Sequence, residues 1–570
     1  MLPQLQQPKE QRDTQNKFRG LVNRLNAGDE EFRSMRNMSS DERPMMAPRR
    51  QRRYIRTIGG RTLLGGDALS WVQDGTLYYG GRAVAQDVSE DPQLIRMGAY
   101  LIAWPDRIIY NTHTGELSRM DYTWMGEGVH VRPCMLSGQD LEYTASDTEP
   151  TTARDGMYWL NTDNGGMYQY LNGAWTGLDT VYARVEGYQI GQGIHDYDVV
   201  SISGMDNEYY NLDAATVYAR GDDYIVIATG VIMDYENSGM VTVERKSPEL
   251  DFICESGNRL WGCSNKTHEI RCTKLGDPTN WNSYLGISLD SYAATVGSEG
   301  DFTGICTYMG YVHFFKENRV HRLYGTQPSN FQLVELQMRG VKAGCEKSLC
   351  VVNELLYYVS RDGVVRYDGS GPANVSEALG ETELEQVVCG AHGDKLYLNA
   401  VTADGPRMYV WDSAVRYWHM EDETRAVAFA STEEGDFFLD DQGGLWTIDG
   451  KHSDLETAAA HDEGEITWEA VSGDILTETT MVKKLKRIEI RVEMERGAGI
   501  QLEIMYNSDG KWLRAMSYET QVKKTVTLPL IARACDHFAL RYSGHGAVVV
   551  YMLTKIYELR EGRQCLSYRA

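Results

Sequence analysis

From about residue 67 the chain alternates short apolar runs, rich in Tyr, Val, Ile and Trp, with polar turns. Asp-Gly occurs at 74, 155, 362, 368, 404, 449 and 509, and Asn-Gly at 172. Such pairs suit tight hairpins, whose central residues need positive φ. Helical spacing of apolar residues is nearly absent after residue 60, so the pattern predicts an all-β chain. The hairpins also recur at a steady interval. HFFKENRVHRLYG starts at His313, YYVSRDGVVRYDG at Tyr357, LYLNAVTADGPRMYVWD at Leu396 and FFLDDQGGLWTIDG at Phe437, in steps of 44, 39 and 41 residues. A four-stranded unit repeated every 40–45 residues or so is the mark of a β-propeller blade. One such sheet cannot bury both its faces, so its neighbours must stack on it.

Three earlier hairpins fit the same template less regularly: those from Tyr100, Met157 and Leu260. They bring the candidates to seven, and LSWVQDGTLYYGG from Leu69 offers a further strand pair to close the ring against the last blade. The expectation is a propeller of six or seven blades. Two segments fall outside the repeat. Residues 176–250 are strand-rich but too long for a loop, which predicts a small inserted β-domain. After about 463, KRIEIRVEM, IQLEIMYNSDGKW, HFALRYSG and AVVVYMLTKIYEL alternate with period two, which predicts a C-terminal β-sandwich. The expected divisions are a basic arm at 1–60, propeller at 61–175, insertion at 176–250, propeller at 251–455 and sandwich at 456–570.

Composition sharpens this picture. Of 570 residues, 57 are Lys or Arg and 81 Asp or Glu, a formal net charge of −24. Residues 1–56 hold 13 basic and 7 acidic side chains, which leaves the remainder at −30. So acidic a body disfavours tight wrapping of nucleic acid, which needs Lys and Arg on phosphates. Arg49, Arg50, Arg52, Arg53 and Arg56 lie within eight residues; they read either as a solvated basic arm or as a strip that docks an acidic partner. No apolar run approaches the roughly 18 residues of a membrane helix, and MLPQLQQPKEQRD has no apolar leader core, so a soluble protein made in a cytoplasm is expected.

Candidate chemistry is sparse. Ten cysteines without a C-x-x-C pair read as reduced, mostly buried thiols. Cys254, Cys263, His268 and Cys272 have the residue types of a zinc site but not its paired spacing; Cys263 and Cys272 are expected on the two arms of a hairpin. SDGKW at 508–512 reads as a hairpin tip, and GQGIHD at 191–196 lacks the third Gly and the helix of a phosphate loop. Carboxylate pairs such as Glu433/Glu434 and Asp440/Asp441 read as solvated turns. No catalytic residue, metal or cofactor is assigned, and no enzyme activity is expected, although propellers also host glycosidases.

Residues 258–372 carry three more specific blocks. These are LGDPTNW at Leu275–Trp281, Phe314–Glu317 ahead of Tyr324-Gly325, and Ser360–Gly363 ahead of Tyr367-Asp368-Gly369. With NMSSDERPMMAPRR near the start, they resemble the propeller core of tailed-bacteriophage nozzle, tubular-tail or packaged-DNA stabilisation proteins. The resemblance covers the propeller and says little about the insertion or the sandwich. It implies a virion protein of the phage tail, made in the host cytoplasm, that forms a homo-oligomeric ring, typically hexameric. Its partners would be other tail, adaptor and fibre proteins, and double-stranded DNA would be held and then passed. The alternative is a tail-tip or receptor-binding protein whose sandwich recognises host surface glycans, suggested by 35 Tyr and 12 Trp.

Overall fold

The computed structural model describes residues 10–24, 27–230, 234–477, 481–530 and 533–559. The chain is all-β, of the propeller-and-sandwich class, with only short 3-10 turns such as Glu208–Tyr210 and Pro328–Asn330 among the described residues. Six sheets are four-stranded meanders, which begin at residues 63, 93, 252, 302, 350 and 385, and a seventh begins at 426 with three meander strands and is extended by Arg53–Thr57 and His461–Asp462. In most of them the second strand is buried on both faces: Leu101–Trp104, Leu260–Ser264, Leu356–Ser360 and Leu396–Ala400 are buried throughout. Double-sided burial explains why these strands read as mostly apolar runs and not as alternation.

The chain divides into two compact units, 1–91 with 315–320 and 336–570, and 92–314 with 321–335. In the first unit the sheet at 385–420 packs on the sheet at 426–447 through Tyr397, Met408, Val410 and Phe438. That sheet in turn packs on the sheet at 63–85 through Ile55, Trp71, Phe437 and Leu445. The last sheet of the repeat therefore lies against the first. Its own fourth strand comes from the other end of the chain: Arg53–Thr57 pairs antiparallel with Gly444–Thr447. In the second unit the sheet at 93–119 packs on the sheet at 252–295 around Trp104, Leu260 and Trp281. A second seam there joins Trp261, Cys263, Phe302 and Phe314. Turn chemistry follows the sequence. Asp74-Gly75 (φ 49° and 71°) and Asn172-Gly173 (φ 54° and 87°) both close two-residue hairpins.

The sheets at 93–119 and 252–295 are neighbours in space, and the chain between them forms the insertion. It spans Tyr122 to Arg245, not 176–250. Eight strands form one sheet, which curls so that Trp124 near one end and Val131 near the other meet in one core with Val185, Ile202, Tyr210 and Val243. The hairpin from Met157 belongs here as well and is not a blade. It sits in a four-stranded sheet, Tyr143–Ser146, Tyr158–Asn161, Met167–Leu171 and Ala174–Gly177. That sheet buries Leu160 and Met167 against Val181. LSWVQDGTLYYGG takes the vacated place as the middle of a complete sheet at 63–85.

The described part of the expected basic arm at 1–60, residues 10–24 and 27–60, does not form an arm, and residues 1–9 lie outside the described residues. Glu10–Gln15 is an edge strand of the sandwich and pairs with Val548–Leu559 from Glu10↔Glu558 to Gln15↔Leu553. Phe32–Arg36 edges the opposite sheet beside Thr467–Ser472. Lys555, 1% exposed along its side chain, lies 2.7 Å from Asp13 and pins the first strand. The sandwich therefore draws on both ends of the chain. Its core includes Phe32, Ile488, Ile490, Leu502, Phe538, Leu540 and Leu553.

Ile55 is fully buried in the strand supplied by the N-terminal segment. Ile55→Ala is expected to cost about 2–5 kcal/mol through the cavity it leaves. Hydrogen exchange read by mass spectrometry should accelerate in 53–57 and 444–447 and stay unchanged in 181–229.

Candidate functional site

The arginine-rich strip is not the open docking surface its sequence suggests. Arg49 and Arg52 are buried, and their charge is consumed internally. Arg49 donates through Nη1 to Glu463 Oε2 at 2.6 Å, through Nη2 to Asp422 Oδ2 at 3.0 Å and through Nε to Asn37 Oδ1 at 2.9 Å. Arg52 donates through Nη2 to Glu421 Oε2 at 2.6 Å and through Nη1 to Asp422 Oδ2 at 2.8 Å, with its guanidinium 5.2 Å from the Phe438 ring centre. Arg53 grips Glu456 at 2.7 and 3.0 Å and Asp462 at 2.7 Å. Arg56 is half-buried with its guanidinium over Trp71, and Arg50 alone is exposed. These side chains lock the N-terminal segment to the sheet at 385–420 and to the chain that follows the last sheet. They do not present a basic face.

Electrostatics agree with this geometry. Burial pushes the Asp422 and Glu463 carboxyls up, but Arg52 and Arg49 together outweigh it and leave both below the usual carboxylate range. The Arg53 hydrogen bonds bring Glu456 down to about 2.

A second polar cluster lies in the other unit, at the root of the insertion. A cavity of about 540 Å3 is lined by Arg119, Asp121, Tyr122, His195, Arg245 and Asp277, among others. Asp198, fully buried, pairs with Arg245 and accepts the His195 backbone N–H at 2.8 Å. Arg245 also donates from Nε to the Met120 carbonyl at 3.1 Å, so it clasps the start of the insertion to its last strand. The Asp198 carboxylate, 3.6 Å from His195 Nδ1, raises the His195 pKa above its ordinary value. GQGIHD thus serves packing and not phosphate. A Cβ at Gly193 would fall 2.1 Å from the Tyr122 ring, and one at Gly191 would fall 2.0 Å from the Gly221 carbonyl oxygen.

The remaining candidates are structural where they are described. Cys263 and Cys272 do occupy the two arms of a hairpin, and both face the core. Burial pushes the Cys254 and Cys272 thiols up to about 12, in their protonated form. No three His, Cys, Asp or Glu side chains among the described residues are grouped to hold a metal. Asp440 ties a turn by accepting Gly444 N–H at 2.7 Å and Trp446 Nε1–H at 2.8 Å. SDGKW lies at the tip between Gly499–Tyr506 and Leu513–Tyr518. In LGDPTNW, Asp277 accepts from the Thr279 backbone and hydroxyl, Asn280 reaches the Tyr197 carbonyl at 2.9 Å, and Trp281 is buried. Phe314, Ser360 and Tyr367 are likewise buried.

No family model matches the chain, and no curated protein matches it. Several solved structures are similar at low identity. An exo-β-1,3-galactanase of Phanerochaete chrysosporium is 8% identical over 51% of this chain and 93% of its own, with a TM-score of 0.21. Hsv2 of Kluyveromyces lactis is 10% identical over 64% of this chain and 98% of its own, with a TM-score of 0.26. PorZ, a surface component of the type-IX secretion system of Porphyromonas gingivalis, is 10% identical over 82% and 70%, with a TM-score of 0.17.

Three outcomes follow from the clusters. Arg52→Met strands Glu421 and Asp422 in a buried site and is expected to cost about 3–5 kcal/mol, read as faster hydrogen exchange across 49–57 and 421–424. Because the Asp422 and Glu463 pKa values are depressed, their contribution is present above the unfolded-chain carboxylate range of about 4 and disappears as pH falls through the folded values. Arg49→Met should therefore be less stable at pH 7 and lose less on acidification than the parent chain, as measured by urea unfolding at stepped pH. For His195, NMR titration should give a midpoint above about 6.5, so its contribution is complete below that value and fades as pH rises. An unshifted midpoint would contradict the Asp198 contact.

Proposed function

We propose that this chain is a non-catalytic structural component of a tailed-bacteriophage virion, a nozzle or tail-hub ring subunit that helps retain packaged DNA and then lets it pass. The observation that carries this reading is the resemblance in Leu275–Trp281, Phe314–Glu317 and Ser360–Gly363. In this chain those blocks supply turns and buried positions of three successive four-stranded sheets. The formal net charge of −24 supports it, because an acidic wall repels phosphate and leaves a passing duplex without sticky sites. Purified particles examined by electron microscopy with antibody labelling should carry the chain at the tail. Particles made without it should package DNA and then lose it. Absence of the chain from particles, or full DNA retention without it, overturns the reading.

A second reading, recognition of host surface glycans, has one observation in its favour, and it moves the candidate from the sandwich to the insertion. Trp159, Tyr168, Tyr170 and Trp175 share one face of the sheet at 143–177, with Trp159 stacked on Tyr168 at 4.8 Å and Tyr170 against Trp175 at 5.1 Å. Aromatic faces of this kind stack on sugar rings. Host polysaccharide should then protect 158–176 from hydrogen exchange, and no protection would reject this reading.

A further inference from the structure

Arg49, Arg52 and Arg53 are spent on internal pairs and Arg56 lies over Trp71, so Arg50 is the one exposed arginine of that strip, and a denser group of open cations lies elsewhere. Within the first unit a cleft of about 960 Å3 is walled by 17–22, 373–378 and 415–417, with Arg43 and Arg366 also lining it. That volume stands near the top of the roughly 300–1,000 Å3 of ligand-binding clefts. Five cations line it: Lys17, Arg19, Arg43, Arg366 and Arg416. Two of these have carboxylate partners, Arg19 with Glu30 at 3.2 Å and Arg43 with Asp412 at 3.8 Å. The two carboxylates on the lining are engaged as well. Glu377 pairs with Arg24 at 3.3 Å, and Glu31 accepts the Gly28 N–H at 2.8 Å.

Lys17, Arg366 and Arg416 remain, with no carboxylate in ion-pair range among the described residues. Lys17 and Arg416 are exposed, and Arg366 is half-buried with its Nε sealed from water and unbonded. The Arg416 backbone is held at φ 60°, and its N–H donates to the Asp412 carbonyl at 2.8 Å, which fixes the root of that side chain. One wall includes Ala373 and Asn374 of Pro372–Asn374, the outer strand of its sheet, whose far edge pairs with no other strand among the described residues.

We propose that this cleft is a docking site for an acidic, extended peptide segment of a partner protein. Three uncompensated cations in a chain of net charge −24 make a localised attractor, and guanidinium groups match carboxylates in bidentate fashion. The free edge of Pro372–Asn374 can take main-chain hydrogen bonds from an extended segment while the cations read its side chains. A nucleic acid strand fits less well. It carries phosphates at every step and needs a continuous basic track, whereas Glu30, Glu31 and Glu377 border this cleft. The inference stands apart from any virion role, since it rests on the charge and shape of one cleft.

The test is fluorescence anisotropy of the full chain with a labelled ten-residue peptide of alternating Asp and Glu, alongside a labelled single-stranded oligonucleotide. The peptide should bind at low salt and weaken as salt rises. Arg366→Gln should weaken it roughly tenfold, the loss of about one charged hydrogen bond. Combining Lys17→Gln, Arg366→Gln and Arg416→Gln should abolish binding, while Arg50→Gln leaves it unchanged. Hydrogen exchange on the unaltered chain gives a readout independent of any variant's folding, and the peptide should protect 372–378. No binding at low salt, protection elsewhere, equal binding by the triple variant, or tighter binding of the oligonucleotide would each overturn the proposal.

Discussion

Two guanidinium groups and the carboxylates of Glu421, Asp422 and Glu463 meet in a site that is largely closed to water. Removing such charges from solvent costs several kcal/mol per ion, and the cost is offset only when every partner is in place. The cluster is therefore a joint condition on three stretches of chain: the segment around Arg49 and Arg52, the turn after Tyr417–Met420, and the segment that reaches Glu463. If any one is displaced, the other two hold unpaired buried charge. That condition places Arg53–Thr57 beside Gly444–Thr447, and the last sheet of the repeat is complete only with that strand.

Around this lock the fold obeys a simpler rule. A meander of four strands has two apolar faces and can hide neither, so each sheet is finished by its neighbours. Trp71, Trp104, Phe314 and Phe438 are buried because a second sheet covers them. The insertion respects the same rule. It leaves the repeat after Leu117–Arg119, the final strand of a sheet, and returns before Phe252–Glu255, the first strand of the next. No seam between sheets has to open to admit it.

How much of this was legible in the sequence depended on where burial came from. The hairpins from His313, Tyr357, Leu396 and Phe437 are readable because strands covered on both faces are apolar at most positions, with only His313, Lys316, Ser360 and Asn399 as buried polar exceptions in three of them. The sheet at 63–85 was half-read, since its first strand is only Leu63–Leu64. The Met157 hairpin was misplaced because a pair of aromatic strands looks the same whether it stands in a ring or in an insertion. Glu10–Gln15, EQRDTQ, carries no strand signal of its own. It is a strand because Val548–Leu559 offers an edge and Lys555 needs Asp13. The arginine strip is legible but its role is not, for its carboxylates stand about 370 to 410 positions away. The cleft was invisible for the same reason, with its free cations at 17, 366 and 416.

The long reach of the N-terminal segment has a consequence for biosynthesis. Arg52 leaves the ribosome 369 residues before Glu421, a delay of roughly 20–75 s at about 5–20 residues per second. The insertion, whose core lies wholly between Trp124 and Val243, can meanwhile condense on its own. A greasy strand kept waiting that long would invite association with other nascent chains. Phe32–Arg36 and Arg53–Thr57 wait as well, but the strand whose partner is made last is EQRDTQ, which water keeps harmless until its edge has been made. The polarity that hides it from sequence inspection is the same property that lets it be synthesised first and used last.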